Sequence, residues 1–145
     1  MIELRPVTPD NWRSGLSVRE DQKEFVAPSA GILARAWAYR EYRSQAFLVY
    51  EDETPVGMAM FHDDPEDPSA YIFDQFFIDA RYQGRGVGRE AARLVLNAME
   101  ADGRRSKIVL CYIAGDTAAK RLYESLGFAE TGEAWEDEII MEKQL

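Results

Sequence analysis

The chain has 145 residues, the size of one domain, with 46% hydrophobic and 30% charged residues, an ordinary globular balance. Its formal charge of −9 argues against a nucleic-acid surface, Cys111 as the single cysteine excludes an internal disulfide or a cysteine metal cluster, and His62 as the single histidine excludes a histidine zinc site or a Ser-His-Asp triad. No apolar run approaches the ~20 residues of a membrane helix, and Met1-Ile2-Glu3 starts no export signal, so a cytoplasmic location without membrane partners is expected.

In chain order, residues 2–7 read as a strand closed by Pro6 and Pro9, and Asp10 or Asn11 is placed to cap a short helix to about Leu16. Residues 18–28 carry mixed charge around a small apolar knot and stop at Pro28. Ser29 is expected to cap a second helix over 30–40, bearing Ile32, Leu33, Ala36, Trp37 and Tyr39. Residues 45–50 and 54–61 make an antiparallel pair across Glu51-Asp52-Glu53-Thr54. An acidic loop over 63–69 leads into an aromatic and β-branched strand over 71–78. A glycine-rich turn follows, then a helix to about Ala101 with Val87, Ala91, Leu94, Val95, Ala98 and Met99 at helical spacing and Gly103 past its end. A strand over 107–112, a helix over 117–126 closed by Gly127, and a terminal strand pair at 128–134 and 138–142 complete the chain. The order is β-α-α-β-β-β-α-β-α-β-β without repeat or domain boundary, so residues 1–145 make one α/β domain on a mixed sheet.

The glycine-rich turn is Gln83-Gly84-Arg85-Gly86-Val87-Gly88-Arg89. A strand that feeds a helix N-terminus through glycines leaves backbone N–H groups free at the positive end of the dipole, an anion site whose usual guest is phosphate. The glycines could instead serve the bend alone. A dinucleotide fingerprint fails because Arg89 stands where its last glycine belongs, and no Walker A ending is present. The pattern Gln83-x-x-Gly86-x-Gly88, preceded by Phe76-Phe77-Ile78-Asp79 and followed by Arg89, resembles the pyrophosphate loop of the GNAT (GCN5-related) N-acetyltransferases. Residues 116–128 resemble that family's N-x-x-A-x-x-L-Y-x-x-x-G-F signature, with Asp116 where the pattern usually has Asn. Asp keeps the helix cap and loses the amide donor. Residues 20–28 with the following Ala-rich helix, and residues 73–79, are more narrowly similar to bacterial spermine/spermidine-type acetyltransferases.

This resemblance implies a single-domain GNAT-like fold on a mixed, mostly antiparallel sheet, with acetyl-coenzyme A as co-substrate and no metal. It places the cofactor against Phe76, Phe77 and Ile78 of the strand, against Gln83, Gly84, Arg85, Gly86, Val87, Gly88 and Arg89 of the turn, and against Asp116, Ala119 and Tyr123 of the later helix. Amine attack on a thioester needs positioning, a donor for the developing oxyanion, a proton acceptor for the amine and a proton donor for sulfur. A free N–H over 76–78 serves the oxyanion if strand 107–112 diverges there, as the resemblance implies. Tyr123 is the candidate general acid, with a helix tyrosine packed on the sheet as the alternative.

Strict alternation puts Ile72, Asp74, Phe76 and Ile78 on one face and Phe73, Gln75 and Phe77 on the other. Asp74 inside this apolar strand is either a base in a wet cleft or a structural acid paired with an arginine. Glu20, Glu24 and Glu41 join Asp74 as candidate ligands of the acceptor, against the blander reading of solvated faces. Cys111 is expected in the core, and His62 has no evident partner. Exposed apolar residues near Trp135 are compatible with a homodimer. The expected activity is transfer of an acetyl group to the primary amine of a small molecule, most like a polyamine or diamine such as spermine or spermidine. The alternatives are another small amine, an aminoglycoside, a protein amine, or a non-catalytic acyl-coenzyme A sensor.

Overall fold

Seven strands form one sheet: β1 (Ile2–Pro6), β2 (Gln45–Glu51), β3 (Thr54–Asp63), β4 (Ala70–Ile78), β5 (Lys107–Ile113), β6 (Ala129–Trp135) and β7 (Glu138–Gln144). Their spatial order is β1-β2-β3-β4-β5-β7-β6, and every pair is antiparallel except β4 with β5. The structure, a computed structural model, describes all residues but Val26. The fold class is therefore the one expected, a mixed sheet that is mostly antiparallel.

Helix α1 (Ser29–Ala38) covers one face of β2–β4 through Ile32, which packs with Leu48, Met58, Met60 and Phe77. Helices α2 (Val87–Asp102) and α3 (Thr117–Ser125) cover the opposite face, where Val95, Leu96 and Met99 meet Tyr71, Phe73, Ile108, Leu110 and Phe128. Each such buried aliphatic or aromatic side chain contributes about 1.5–3 kcal/mol. A buried polar knot fixes the far end of β3 and β4: Arg43 donates to both oxygens of Asp63 at 2.7 Å and to Asp102 at 2.9 and 3.1 Å, and Tyr71 O–H also reaches Asp102.

Four sequence expectations are revised. The helix expected from Asp10 or Asn11 to Leu16 is a set of turns, because the Asn11 side chain folds back to accept from Thr8 N–H (2.7 Å) and donate to Pro6 O (3.1 Å), and Gly15 takes φ +67°. Among the described residues a single 3-10 turn at Glu20–Gln22 is the only helical piece before α1. Ser29 is the first residue of α1 and not its cap; its Oγ donates to Leu16 O at 3.1 Å. Cys111 is exposed, on the face of β5 opposite Ile108, Leu110 and Tyr112, which pack under α2 and α3.

The fourth revision concerns β4. Met60 pairs with Gln75 and Phe61 with Phe73, so Asp74 is the extra residue of a β-bulge. Alternation flips across it. Phe73 and Phe76 share a face, their rings edge-on at 5.7 Å, while Phe77 packs under α1.

Candidate active site

β4 and β5 pair only at Ala70↔Lys107, Tyr71↔Ile108 and Ile72↔Val109. Beyond Ile72 the strands part, and the aromatic half of β4 has no neighbour on that side. Asp79 N–H donates to Val56 O at 2.8 Å on the β3 side, so by strand alternation the N–H groups of Ile78 and Phe76 face the opening. The Ile78 carbonyl on that side accepts from Gln83 Nε2 at 2.8 Å. The splay thus presents two backbone donors to a carbonyl oxygen or an extended ligand.

The opening ends at the glycine turn. Gly84 and Gly86 both adopt φ +80°, the left-handed region that suits glycine, and a Cβ added to either would meet nothing within 4 Å. Glu90 N–H is bonded to Gly86 O at 3.2 Å, which leaves the amides of Val87, Gly88 and Arg89 ahead of it without an intrahelical acceptor. Room, free amides and the helix dipole make an anion cradle. Two arginines of the turn lean elsewhere: Arg85 pairs with Glu51 at 2.8 Å and Arg89 reaches Ser125 at 3.4 Å. A cavity continues from the cradle along β4, lined by Val18, Gln22, Phe76, Phe77, Ile78, Gln83, Gly84, Gly88, Asp116, Ala119, Leu122 and Tyr123.

Tyr123 stands at the inner end of this cavity and also lines a second, narrower one that adjoins it. Its ring is held edge-on by Phe73 (6.1 Å) and Phe128 (5.9 Å). Burial, followed by the nearby charge of Asp116, pushes its phenol well above the usual value, so the proton is retained at neutral pH. Asp116 caps α3 by accepting from Ala119 N–H at 3.1 Å, which is the cap role that Asn usually fills.

Asp74 lines the second cavity, but its carboxylate is fully engaged. Arg35 Nε donates to both its oxygens at 2.8 Å, Gln75 Nε2 donates to Oδ1 at 3.0 Å, and His62 Nε2 lies 2.7 Å from Oδ2. Burial pushes the Asp74 carboxyl up, and the hydrogen bonds from His62, Arg35 and Gln75 more than reverse this, so it stays ionised. His62, which the sequence left without a partner, is buried beneath Tyr39 (ring centroids 4.3 Å apart) with Nδ1 2.6 Å from the Asp63 carbonyl oxygen. The acid signal of Asp74 was legible; the bulge that delivers it to His62 was not.

Glu20, Glu24 and Glu41 are exposed and line none of these cavities; Glu20 pairs with Lys23 at 2.8 Å. The acid that the structure does bring to the splay is Glu138, at the start of β7 beside Cys111. Sequence reading passed over it as one of several acids in the terminal hairpin. Cys111 keeps its proton, since burial and then the charges of Glu138 and Asp74 push its thiol up. Among the described residues no group of His, Cys, Asp and Glu is arranged to hold a metal, and no helix is long and apolar enough to cross a membrane.

A sheet parted beside a partly buried tyrosine, with an anion cradle at its mouth, suits an extended ligand that ends in phosphate. The chain belongs to the acetyltransferase (GNAT) family, whose model matches residues 10–128. It is an acetyl-coenzyme A-dependent N-acetyltransferase, and acetyl-coenzyme A is its co-substrate. It is 29% identical over 152 aligned residues, covering 99% of both chains, to a spermine/spermidine N(1)-acetyltransferase of Bacillus subtilis. Among solved structures it resembles a Vibrio cholerae spermidine N-acetyltransferase in complex with coenzyme A and spermine (TM-score 0.78, 17% identity, 99% and 95% of the two chains). It also resembles an aminoglycoside acetyltransferase in complex with coenzyme A (TM-score 0.79, 18% identity, 99% and 95%). These structural likenesses carry the fold.

Proposed function

We propose that the acceptor is a linear diamine or polyamine of the spermidine type. The observation that carries this reading is the small size of the cavity beside Tyr123. This cavity, bounded by Phe25, Gln75, Phe76, Cys111 and Glu138, measures ≈ 100 Å³, well below the roughly 300–1,000 Å³ of ordinary ligand pockets. So small a space suits a methylene chain better than a sugar ring. The net charge of −9 and the full-length similarity to a spermine/spermidine acetyltransferase support the same reading.

Acetyl-coenzyme A supplies the acetyl thioester that the amine nitrogen attacks. Gly86, Gly88 and the first amides of α2 hold its phosphates, and the N–H groups of Phe76 and Ile78 take the charge that builds on the carbonyl oxygen. Tyr123 gives its phenolic proton to the departing sulfur, and the phenolate takes back the proton that the nitrogen sheds as the amide forms. The dry surroundings that raise the phenol raise a thiol for the same reason, so this transfer is not made uphill by burial. Asp74 is too well paired and too acidic to serve as base, so the ammonium loses its proton to solvent in the cavity. A thiol-release assay over spermidine, spermine, butylamine, an aminoglycoside and a peptide tests the reading. We expect spermidine or spermine to exceed butylamine in kcat/KM by about tenfold or more, worth ~1.4 kcal/mol. Equal rates for all amines, or reaction of the peptide alone, would overturn it.

A further inference from the structure

Three cavities join end to end. The cofactor cavity and the narrow passage share Phe76, Asp116, Ala119 and Tyr123, and the passage shares Asp74, Gln75, Cys111 and Glu138 with an outer cavity that also reaches Arg35 and Trp135. An acceptor that reacts beside Tyr123 must therefore leave its tail along Gln75 and Cys111 toward Glu138 and Trp135. Glu138 is opposite Ile113 on β5 and opposite Trp135 on β6, so Glu138 and the indole lie on one face of the sheet, the face that bears Cys111. Trp135 is 66% exposed.

The two carboxylates of this path differ in what they have left to bind. Asp74 is held by Arg35, His62 and Gln75, whereas the Glu138 side chain makes no hydrogen bond or ion pair with any described residue although the residue is partly buried. Arg35 lines the outer cavity with both acids but donates only to Asp74, so the Glu138 oxygens keep their hydrogen-bonding capacity. Cys111 between the two acids is a neutral thiol, suited to a methylene chain.

We propose that Glu138 is the specificity residue that holds the second ammonium of a linear di- or polyamine, with the Trp135 indole as a cation–π wall, so that acceptors are selected by the spacing between two nitrogens. This rests on the polyamine reading above. Calorimetry with spermidine and with butylamine, on the coenzyme A-saturated protein and its Glu138→Gln and Glu138→Asp variants, tests it. Glu138→Gln should weaken spermidine about tenfold or more, leave butylamine, coenzyme A affinity and Tm unchanged, and Glu138→Asp should recover part of the loss. Unchanged spermidine affinity in Glu138→Gln, or equal losses for both amines, would overturn the assignment while the polyamine reading stands. If the wild-type protein binds spermidine no better than butylamine, the polyamine reading fails and takes the Glu138 assignment with it.

Discussion

At Tyr123 one hydroxyl has two neighbourhoods, the cofactor cavity and the acceptor passage. Its ring is fixed by Phe73 and Phe128 through contacts that a phenylalanine would keep. Tyr123→Phe should therefore leave stability and acetyl-coenzyme A affinity intact and lower turnover by roughly 10²- to 10⁴-fold, the usual effect of removing a general acid. Steady-state kinetics beside calorimetry checks this, and a change below about twofold in turnover would reduce Tyr123 to packing. Asp74 shows the opposite case, a carboxylate whose geometry suits structure. With its side chain 6% exposed and paired to Arg35 and His62, it ties α1 and β3 to the bulge of β4.

β4 is the element on which the site is built, and its path is set from behind by β3. Gly57 lies opposite Ile78, and a Cβ there would overlap the Phe77 carbonyl oxygen and come within 2.8 Å of Ile78 Cδ1. The first of these neighbours is backbone, so it cannot rotate away. Gly57→Ala should push β4 toward the splay, cost about 1–3 kcal/mol in a denaturant titration, as overpacking does, and weaken acetyl-coenzyme A binding through the displaced Phe76 and Ile78 amides. An alanine variant with wild-type stability and affinity would show that β3 yields instead. The bulge and the short β4–β5 pairing act together: one turns Phe76 to the α2 face, and the other frees its amide.

For the whole molecule, acid is the telling variable. Asp63 and Asp79, like Asp74, are buried carboxylates lifted by burial and then brought below their usual value of 3.8 by arginines and backbone donors. Asp102 is lowered by Arg43 and Tyr71, and Asp67 is lowered to about 2 by Ser69 and Lys107. A carboxyl whose folded value lies below its unfolded one binds more protons when unfolded, so stability falls as pH falls. These contributions are complete above the unfolded value near 3.8 and are lost below it, toward about 2. Thermal unfolding should give a flat Tm down to about pH 5 and a steep loss beneath pH 4. In Asp102→Asn the acid-induced loss should be smaller, because its share is already gone at neutral pH. A Tm independent of pH between 5 and 3 would contradict the pairing described.

The amino-acid sequence by itself determined the strands, the two later helices and the anion turn. Their causes lie within a few residues: apolar periods of two and 3.6, and glycines at Gly84 and Gly86 where φ must be positive. Asp116 and Tyr123 were singled out through the resemblance of residues 116–128 to a family signature, Asp116 as the cap of the helix that carries Tyr123. Only the tertiary structure decided the fate of Asp74, because one extra residue in β4 shifts every later side chain to the other face, and no local pattern announces it. It alone brought His62 and Arg35 to that acid, and Glu138 to Cys111, from elements far apart in the chain. It also exposed Cys111, because α2 and α3 pack on the opposite face of β5, and which face is covered is a property of packing between elements.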